Sequence, residues 1–316
     1  MRTSAAAIRY FLVLSCVAAI CHARLKVSVR TAAASAHPEN QEPSSFHSQT
    51  LRQLSTATNT TKRQHIYESN SASNPNYIEP QIIGGSAVTS ASTYPYFVSV
   101  GAGAMDLCGG SLVAPNVFLT AAHCAGGAYS AGMTAIIGAY HFETPGYVVT
   151  ITTTHQAPQY TEFHNDIMLV GFTPPISSSV IRPVTLNFNT AVPAEATTLT
   201  VMGLGATTDA YGYAQTLQSA SVRIVPFDEC QHTYYPFLVP GEHICVEGTS
   251  PLRVTCAGDS GGPLMSGDLQ VGVLSFGTTT CTDGPSVFTR TSHYMPWLTE
   301  ALCVMTHREM YSAHCT

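Results

Sequence analysis

From residue 82 onward the sequence predicts an all-β protein of sandwich or barrel type, on three observations. Short runs rich in Val, Ile, Thr, Tyr and Phe recur, at 96–100, 117–120, 147–152, 199–202, 221–225 and 271–276. Clusters of Gly, Pro, Ser and Asn separate them and supply the turns that short strands need. Few windows carry the 3.6-residue spacing of an amphipathic helix. The clearest is 293–304, which predicts one helix at the C-terminal end. There is no internal repeat at a solenoid period.

Composition narrows the function classes. The chain has 316 residues, enough for a sizeable core in one large domain or two small ones. Only 10% of residues are charged, against about a quarter in ordinary domains. That excludes a charged coiled coil, a charged disordered protein and a nucleic-acid binder with a Lys/Arg stripe. Residues 1–81 carry 8 Lys/Arg against 4 Asp/Glu, whereas 82–316 carry five Arg, no Lys and 15 Asp/Glu, a net of −10. An acidic body disfavours nucleic acid and anionic membranes as partners.

The N-terminal 23 residues read as a secretory signal. Arg2 and Arg9 flank the start, an apolar run follows at 11–20, and Cys21-His22-Ala23 supplies small residues for cleavage. The run is too short to span a bilayer, and no other stretch reaches about 18 apolar residues, so no membrane span is expected once the signal is removed. Residues 24–81 then read as a disordered, removable pro-segment. Of its 58 residues, 15 are Ser/Thr and 10 are Asn/Gln, without apolar periodicity, so it lacks the surface to offset ordering entropy. It contains Lys62-Arg63, a processing site for a dibasic-specific protease, and Asn59-Thr60-Thr61, the chain's only Asn-x-Ser/Thr glycosylation acceptor. Loss of the signal removes Cys16 and Cys21 and leaves eight cysteines, an even number in a chain bound for an oxidising compartment. Disulfides follow, but spacing alone does not choose among about 105 pairings.

Three motifs carry chemistry: Thr120-Ala121-Ala122-His123-Cys124, then His164-Asn165-Asp166-Ile167-Met168-Leu169, then Gly258-Asp259-Ser260-Gly261-Gly262-Pro263. Each alone has a bland reading, as a core histidine, a turn-capping aspartate or a tight loop. Together they supply a nucleophile and its activators. A serine hydroxyl needs a neighbouring base. An imidazole takes that proton and passes it to the leaving group. A buried carboxylate fixes the imidazole tautomer. Glycines beside the serine let backbone N–H groups converge on an oxyanion. His123, Asp166 and Ser260 are the right three types, and Gly258 sits where an oxyanion donor belongs.

With Ile82-Ile83-Gly84-Gly85 before them, these motifs, in this order, resemble the chymotrypsin/trypsin-like serine proteases. The order His, Asp, Ser differs from the subtilisin and α/β-hydrolase orders. The resemblance covers roughly residues 82–302 and implies two antiparallel β-barrels packed together, divided near residue 190, with a C-terminal α-helix. It implies His123 as general base and acid, Asp166 as its orienter, Ser260 as nucleophile, and the N–H groups of Gly258 and Ser260 as the oxyanion hole. It also implies that Asp259 accepts the ammonium of Ile82 after cleavage. Ser275-Phe276-Gly277 matches the segment that pairs with substrate backbone, with Ser275 also supporting Asp166. The implied disulfides are Cys108–Cys124, Cys230–Cys245 and Cys256–Cys281. Cys303 and Cys315 have no counterpart in the resemblance.

Departures bear on specificity. Leu204 and Phe276 stand where the family often has Trp, and Trp297, the only Trp, reads as a packing residue in the last helix. Ala139 stands where calcium-binding members carry a carboxylate, so no calcium is expected after Gly138. The remaining histidines show no HExxH or CxxC spacing, so no metal or cofactor is expected. Val254 stands where trypsin-like members have Asp, with Thr255 beside it, Gly277 at the pocket mouth and Ser286 narrowing the opposite wall. A Val floor cannot pair with Lys or Arg, which implies a chymotrypsin- or elastase-like preference for apolar residues. The expected product is a secreted, extracellular, monomeric endopeptidase acting on proteins or peptides and open to protein protease inhibitors. The alternatives are an inactive homologue serving as a secreted binding or inhibitor module, and a secreted esterase. The complete set of three catalytic residue types favours the enzyme.

Overall fold

The computed structural model describes residues 82, 85–100, 108–125, 129–141, 146–206, 213–249, 255–278, 281 and 283–306. The expectations for the signal at 1–23, for the pro-segment at 24–81 with Asn59 and Lys62-Arg63, and for Val254, residues 142–145 of the loop after Gly138, His307, His314 and Cys315 lie outside the described residues.

Fourteen strands are described. After a short β1 (Ser86–Ala87) come β2 (Phe97–Val100), β3 (Cys108–Ala114), β4 (Val117–Thr120), β5 (Thr134–Ile137), β6 (Tyr147–Gln156) and β7 (Met168–Thr173). These six close into a barrel in the order β2-β3-β4-β7-β6-β5, every pair antiparallel. Next come β8 (Thr185–Leu186), β9 (Thr198–Gly203), β10 (Gln218–Ile224), β11 (His243–Gly248), β12 (Pro263–Ser266), β13 (Leu269–Phe276) and β14 (Ser286–Arg290). The sheet β10-β11-β14-β13-β12-β9 closes through a β10–β9 ladder, with β1 added beside β10 and β8 beside β13. The fold is therefore two six-stranded antiparallel barrels, and closure leaves the ring strands of each without an open edge.

Local sequence explains most strand limits. On β6 Val149 and Ile151 point inward at a spacing of two, while threonines face solvent. The strand runs beyond 152 to Gln156: Thr152, Thr153 and Thr154 are β-branched, Thr152 forms a bulge, and Thr153 and Thr154 pair with Gly171 and Val170 of β7 beyond it. The first core gathers Phe97, Phe118, Tyr129, Ile151 and Leu169. The second gathers Leu199, Val222, Ile244, Leu264 and Phe288, and Ile82 is wholly buried among them.

Two helices complete the description. Phe227–Tyr234 (α1) was not expected. It is short and polar, and only Cys230 and Tyr234 are buried, four residues apart. Asp228 and Glu229 suit the positive end of its dipole, and Cys230 is bonded to Cys245 on β11. The terminal helix, Met295–Met305 (α2), buries Met295, Leu298, Ala301 and Leu302 as one stripe. It starts two residues later than expected, since Thr291–His293 form a 3-10 turn. Trp297 packs against the first core and stacks on His155 with ring centroids 5.8 Å apart. Among the described residues no helix is long and apolar enough to cross a membrane.

Candidate active site

His123 sits in a 3-10 turn, Ala122–Cys124, just after β4. The Cys108–Cys124 disulfide ties that turn to the start of β3, with Cα atoms 6.5 Å apart. Asp166 lies two residues before β7 and is fully buried. A carboxylate so placed must find donors, and it finds them from both barrels. Its Oδ1 accepts the His123 backbone N–H at 2.9 Å, and its Oδ2 lies 2.8 Å from His123 Nδ1. The Ser275 hydroxyl, on β13, also donates to Oδ2. Thr289 Oγ1, on β14, donates to the Asp166 carbonyl at 3.0 Å. A carboxylate partner places the ring proton on Nδ1 and leaves Nε2 with its lone pair. The His123 side chain is 30% exposed, so that lone pair is within reach of a second reactant.

Ser260 occupies a tight turn. Asp259 N–H donates to Cys256 O at 3.1 Å, Gly261 N–H to Leu274 O at 2.9 Å and Gly262 N–H to Asp259 O at 2.9 Å. The turn is docked on the first barrel by Gly109 N–H, which donates to Ser260 O at 2.7 Å. Gly261 has φ +79°, and a Cβ there would lie 2.2 Å from Thr120 Oγ1, so no other residue fits. Gly258, with φ +93°, opens the turn. The Cys256–Cys281 disulfide, with Cα atoms 5.2 Å apart, closes it against the neighbouring wall. Cys303 is disulfide-bonded as well.

Beside Ser260 lies a cavity of about 210 Å³. Thr255, Ser275, Phe276, Gly277 and Ser286 line it, and no described lining residue is charged. The Thr255 and Ser286 hydroxyls are hydrogen-bonded to each other. Phe276 stands edge-on to Phe163, with centroids 5.2 Å apart, and to Tyr234 at 5.5 Å.

Asp259 points the other way, into the second barrel. Its carboxylate accepts Gly205 N–H at 2.8 Å and Cys256 N–H at 3.0 Å. A Cβ on Gly205 would fall 2.5 Å from that carboxylate, so the close approach requires glycine there. Burial pushes the carboxyl up to about 7, and the two amides pull it only partly back.

The sequence motifs contained Asn165 but not the support it receives. Glu242 and Tyr294, from far along the chain, both reach it. Separations of 77 and 129 residues leave no local signal for such contacts.

The Trypsin family model matches residues 82–298. This chain belongs to the trypsin family, and with it to the serine endopeptidases. Human Granzyme M is 31% identical over 227 residues, covering 69% of this chain and 88% of that protein. Human Serine protease 56 is 31% identical over 241 residues, or 72% of this chain, but the chain spans only 40% of that longer protein. Among solved structures, neuropsin, a serine protease expressed in the limbic system of mouse brain, superposes with a TM-score of 0.60 at 26% identity, covering 68% of this chain and 97% of that one.

Proposed function

We propose that this chain is a secreted serine endopeptidase that works through His123, Asp166 and Ser260 and cleaves after apolar residues. The observation that carries this reading is the double hold of Asp166 on His123, by ring and by backbone. In the proposed cycle Ser260 Oγ attacks the scissile carbonyl carbon and His123 Nε2 takes its proton. The oxyanion receives hydrogen bonds from the N–H groups of Gly258 and Ser260. His123 then returns the proton to the leaving amine. Water, with His123 again as base, releases the acyl group and restores Ser260. Ser275-Phe276-Gly277 pairs with substrate backbone as an added strand.

The uncharged cavity supports the apolar preference, and so does Val254 in the sequence. Export by residues 1–23 and removal of 24–81 complete the reading, with protein or peptide substrates, protein inhibitors as natural antagonists and a monomeric working state. The test is labelling by a fluorophosphonate followed by mapping of the modified residue. Modification at Ser260, together with peptide turnover that Ser260→Ala abolishes, supports the enzyme. An unlabelled, inert protein supports the inactive binding module, and ester turnover without peptide turnover supports the esterase.

A further inference from the structure

The buried acids among the described residues are Asp166, Asp259 and Glu242, and the cycle above gives Glu242 no part. It lies immediately before β11, on the second barrel. Its Oε1 accepts Asn165 N–H at 2.7 Å and the Tyr294 hydroxyl at 2.9 Å. That hydroxyl also lies 3.0 Å from Asn165 Oδ1. The next residue, His243, receives Val239 N–H on Nδ1 at 3.0 Å, so its proton sits on Nε2, which donates to Phe163 O at 3.1 Å. Adjacent residues of the second barrel thus grip two peptide groups of the segment that leads into Asp166.

His164, Glu242 and His243 also place three potential ligand atoms within 4.8 Å of one another. A metal is not what the site is built for. Both His243 nitrogens are engaged by the backbone and offer no free lone pair. His164 Nδ1, at 3.8 Å from Glu242 Oε2, makes no hydrogen bond to it.

The link is Asn165, whose φ is +57°, a left-handed turn that asparagine tolerates better than most non-glycine residues and that its contacts with Glu242 and Tyr294 hold in place. Asn165 shares a peptide with Asp166, so relaxation there swings the carboxylate that must meet His123 at two points. We propose that Glu242 is a positioning residue: through Asn165 it sets the angle at which Asp166 presents its two oxygens to His123. This rests on the reading of Asp166 as the orienter of His123.

The experiment compares Glu242→Ala, Glu242→Gln, Tyr294→Phe and Asp166→Asn in the full chain, processed as the wild type is, with active sites counted by fluorophosphonate titration. Glu242→Ala is expected to lower kcat per active site about 10- to 100-fold, the usual effect of a roughly 1 Å misplacement, with KM little changed. Glu242→Gln keeps a carbonyl acceptor for Asn165 N–H and is expected to recover most of the loss. Tyr294→Phe keeps that bond and is expected to lose only a few-fold, as one hydrogen bond is removed. In the Asp166→Asn background Glu242→Ala should cost little more, because the two act as one unit. A purely structural Glu242 would lower thermal stability and the count of active sites but not kcat per site. Wild-type kcat per site in Glu242→Ala overturns the proposal. If that variant does not fold, wild-type kcat in Tyr294→Phe, or a loss there that recurs in full in the Asp166→Asn background, overturns it. If Asp166→Asn itself is fully active, the reading of Asp166 has failed instead.

Discussion

Asp166 holds His123 with separate oxygens, Oδ1 on the backbone N–H at 2.9 Å and Oδ2 facing ring Nδ1 at 2.8 Å. Two points of attachment fix both the position of the residue and the rotation of its ring. Ser275, from the other barrel, donates to the same Oδ2. The His123–Asp166 pair is therefore held from both barrels, and Asp166 is the part that both barrels share.

Asp166→Asn tests that sharing. A carboxamide offers one oxygen where the carboxylate offered two. If the oxygen takes the His123 backbone N–H, the NH₂ faces Nδ1 and forces the proton onto Nε2. That ring cannot accept the Ser260 proton. The expected loss in kcat is about 10⁴-fold, the size established for this substitution in such triads, with the fold retained by circular dichroism. Loss of less than tenfold would refute the assigned role.

The cavity predicts specificity. A Lys or Arg side chain would enter about 210 Å³ of space whose described lining bears no charge, and an uncompensated buried charge costs several kcal/mol. Cleavage is expected after Leu, Met, Phe and Tyr. Val254→Asp should move preference toward basic residues only in part, since other loops also shape the transition state. Profiling on a mixed peptide library is the measurement, and dominant cleavage after Arg in the wild type would overturn the prediction.

How much of this was legible in the sequence differs by element. β4 and β13 announce themselves, because runs such as Val117-Phe118-Leu119-Thr120 are apolar and β-branched, and both lie in buried ladders. β3 does not. Its Cys108-Gly109-Gly110-Ser111 start is too small and flexible to read as a strand, and only pairing on both sides holds it. α1 is hidden because FDECQHTY is polar and eight residues long. Strand order is non-local, so alternation predicted sandwich or barrel while the motif resemblance supplied two barrels. At the site, residue type and motif singled out His123, Asp166 and Ser260. The support from Glu242, Thr289 and Tyr294 had no such signal, since a lone Glu, Thr or Tyr far along the chain carries no pattern.

Asp259 predicts a pH dependence in the uncleaved chain. Burial raises its carboxyl to about 7, against about 4 in an unfolded chain. Between those values the unfolded chain has released the proton and the folded chain has kept it. Stability contributed by this group therefore falls as pH rises from about 4 and levels off above about 7, by about 4 kcal/mol in total. Urea unfolding of Ser260→Ala, with and without Asp259→Asn, measures it from pH 4 to pH 8. The difference between the two should narrow or invert across that window. A constant difference would show that Asp259 is already ionised and partnered.

Activation is the last prediction. In the family's switch a free amine at Ile82 pairs with Asp259, and a buried carboxylate in want of a cation is what the uncleaved chain contains. Glu79-Pro80-Gln81 precedes Ile82, with no Lys or Arg at the cut, so a trypsin-like activator should fail there. Self-cleavage after Gln81 is disfavoured by the Val254 floor that the sequence implies for the pocket. A cut after Lys62-Arg63 would leave 18 residues, 64–81, still attached. Two steps are therefore expected: removal near Arg63, then exposure of Ile82 by a distinct protease that tolerates Pro-Gln. Ionised and paired, Asp259 would lose its raised pKa and the stability trend with pH would reverse, with stability now lost as pH falls. N-terminal sequencing of the active secreted form decides the matter. A start at Ile82, with activity abolished in Asp259→Asn, supports the switch. A fully active enzyme that begins at Gln64 would show that this chain activates without an Ile82 amine.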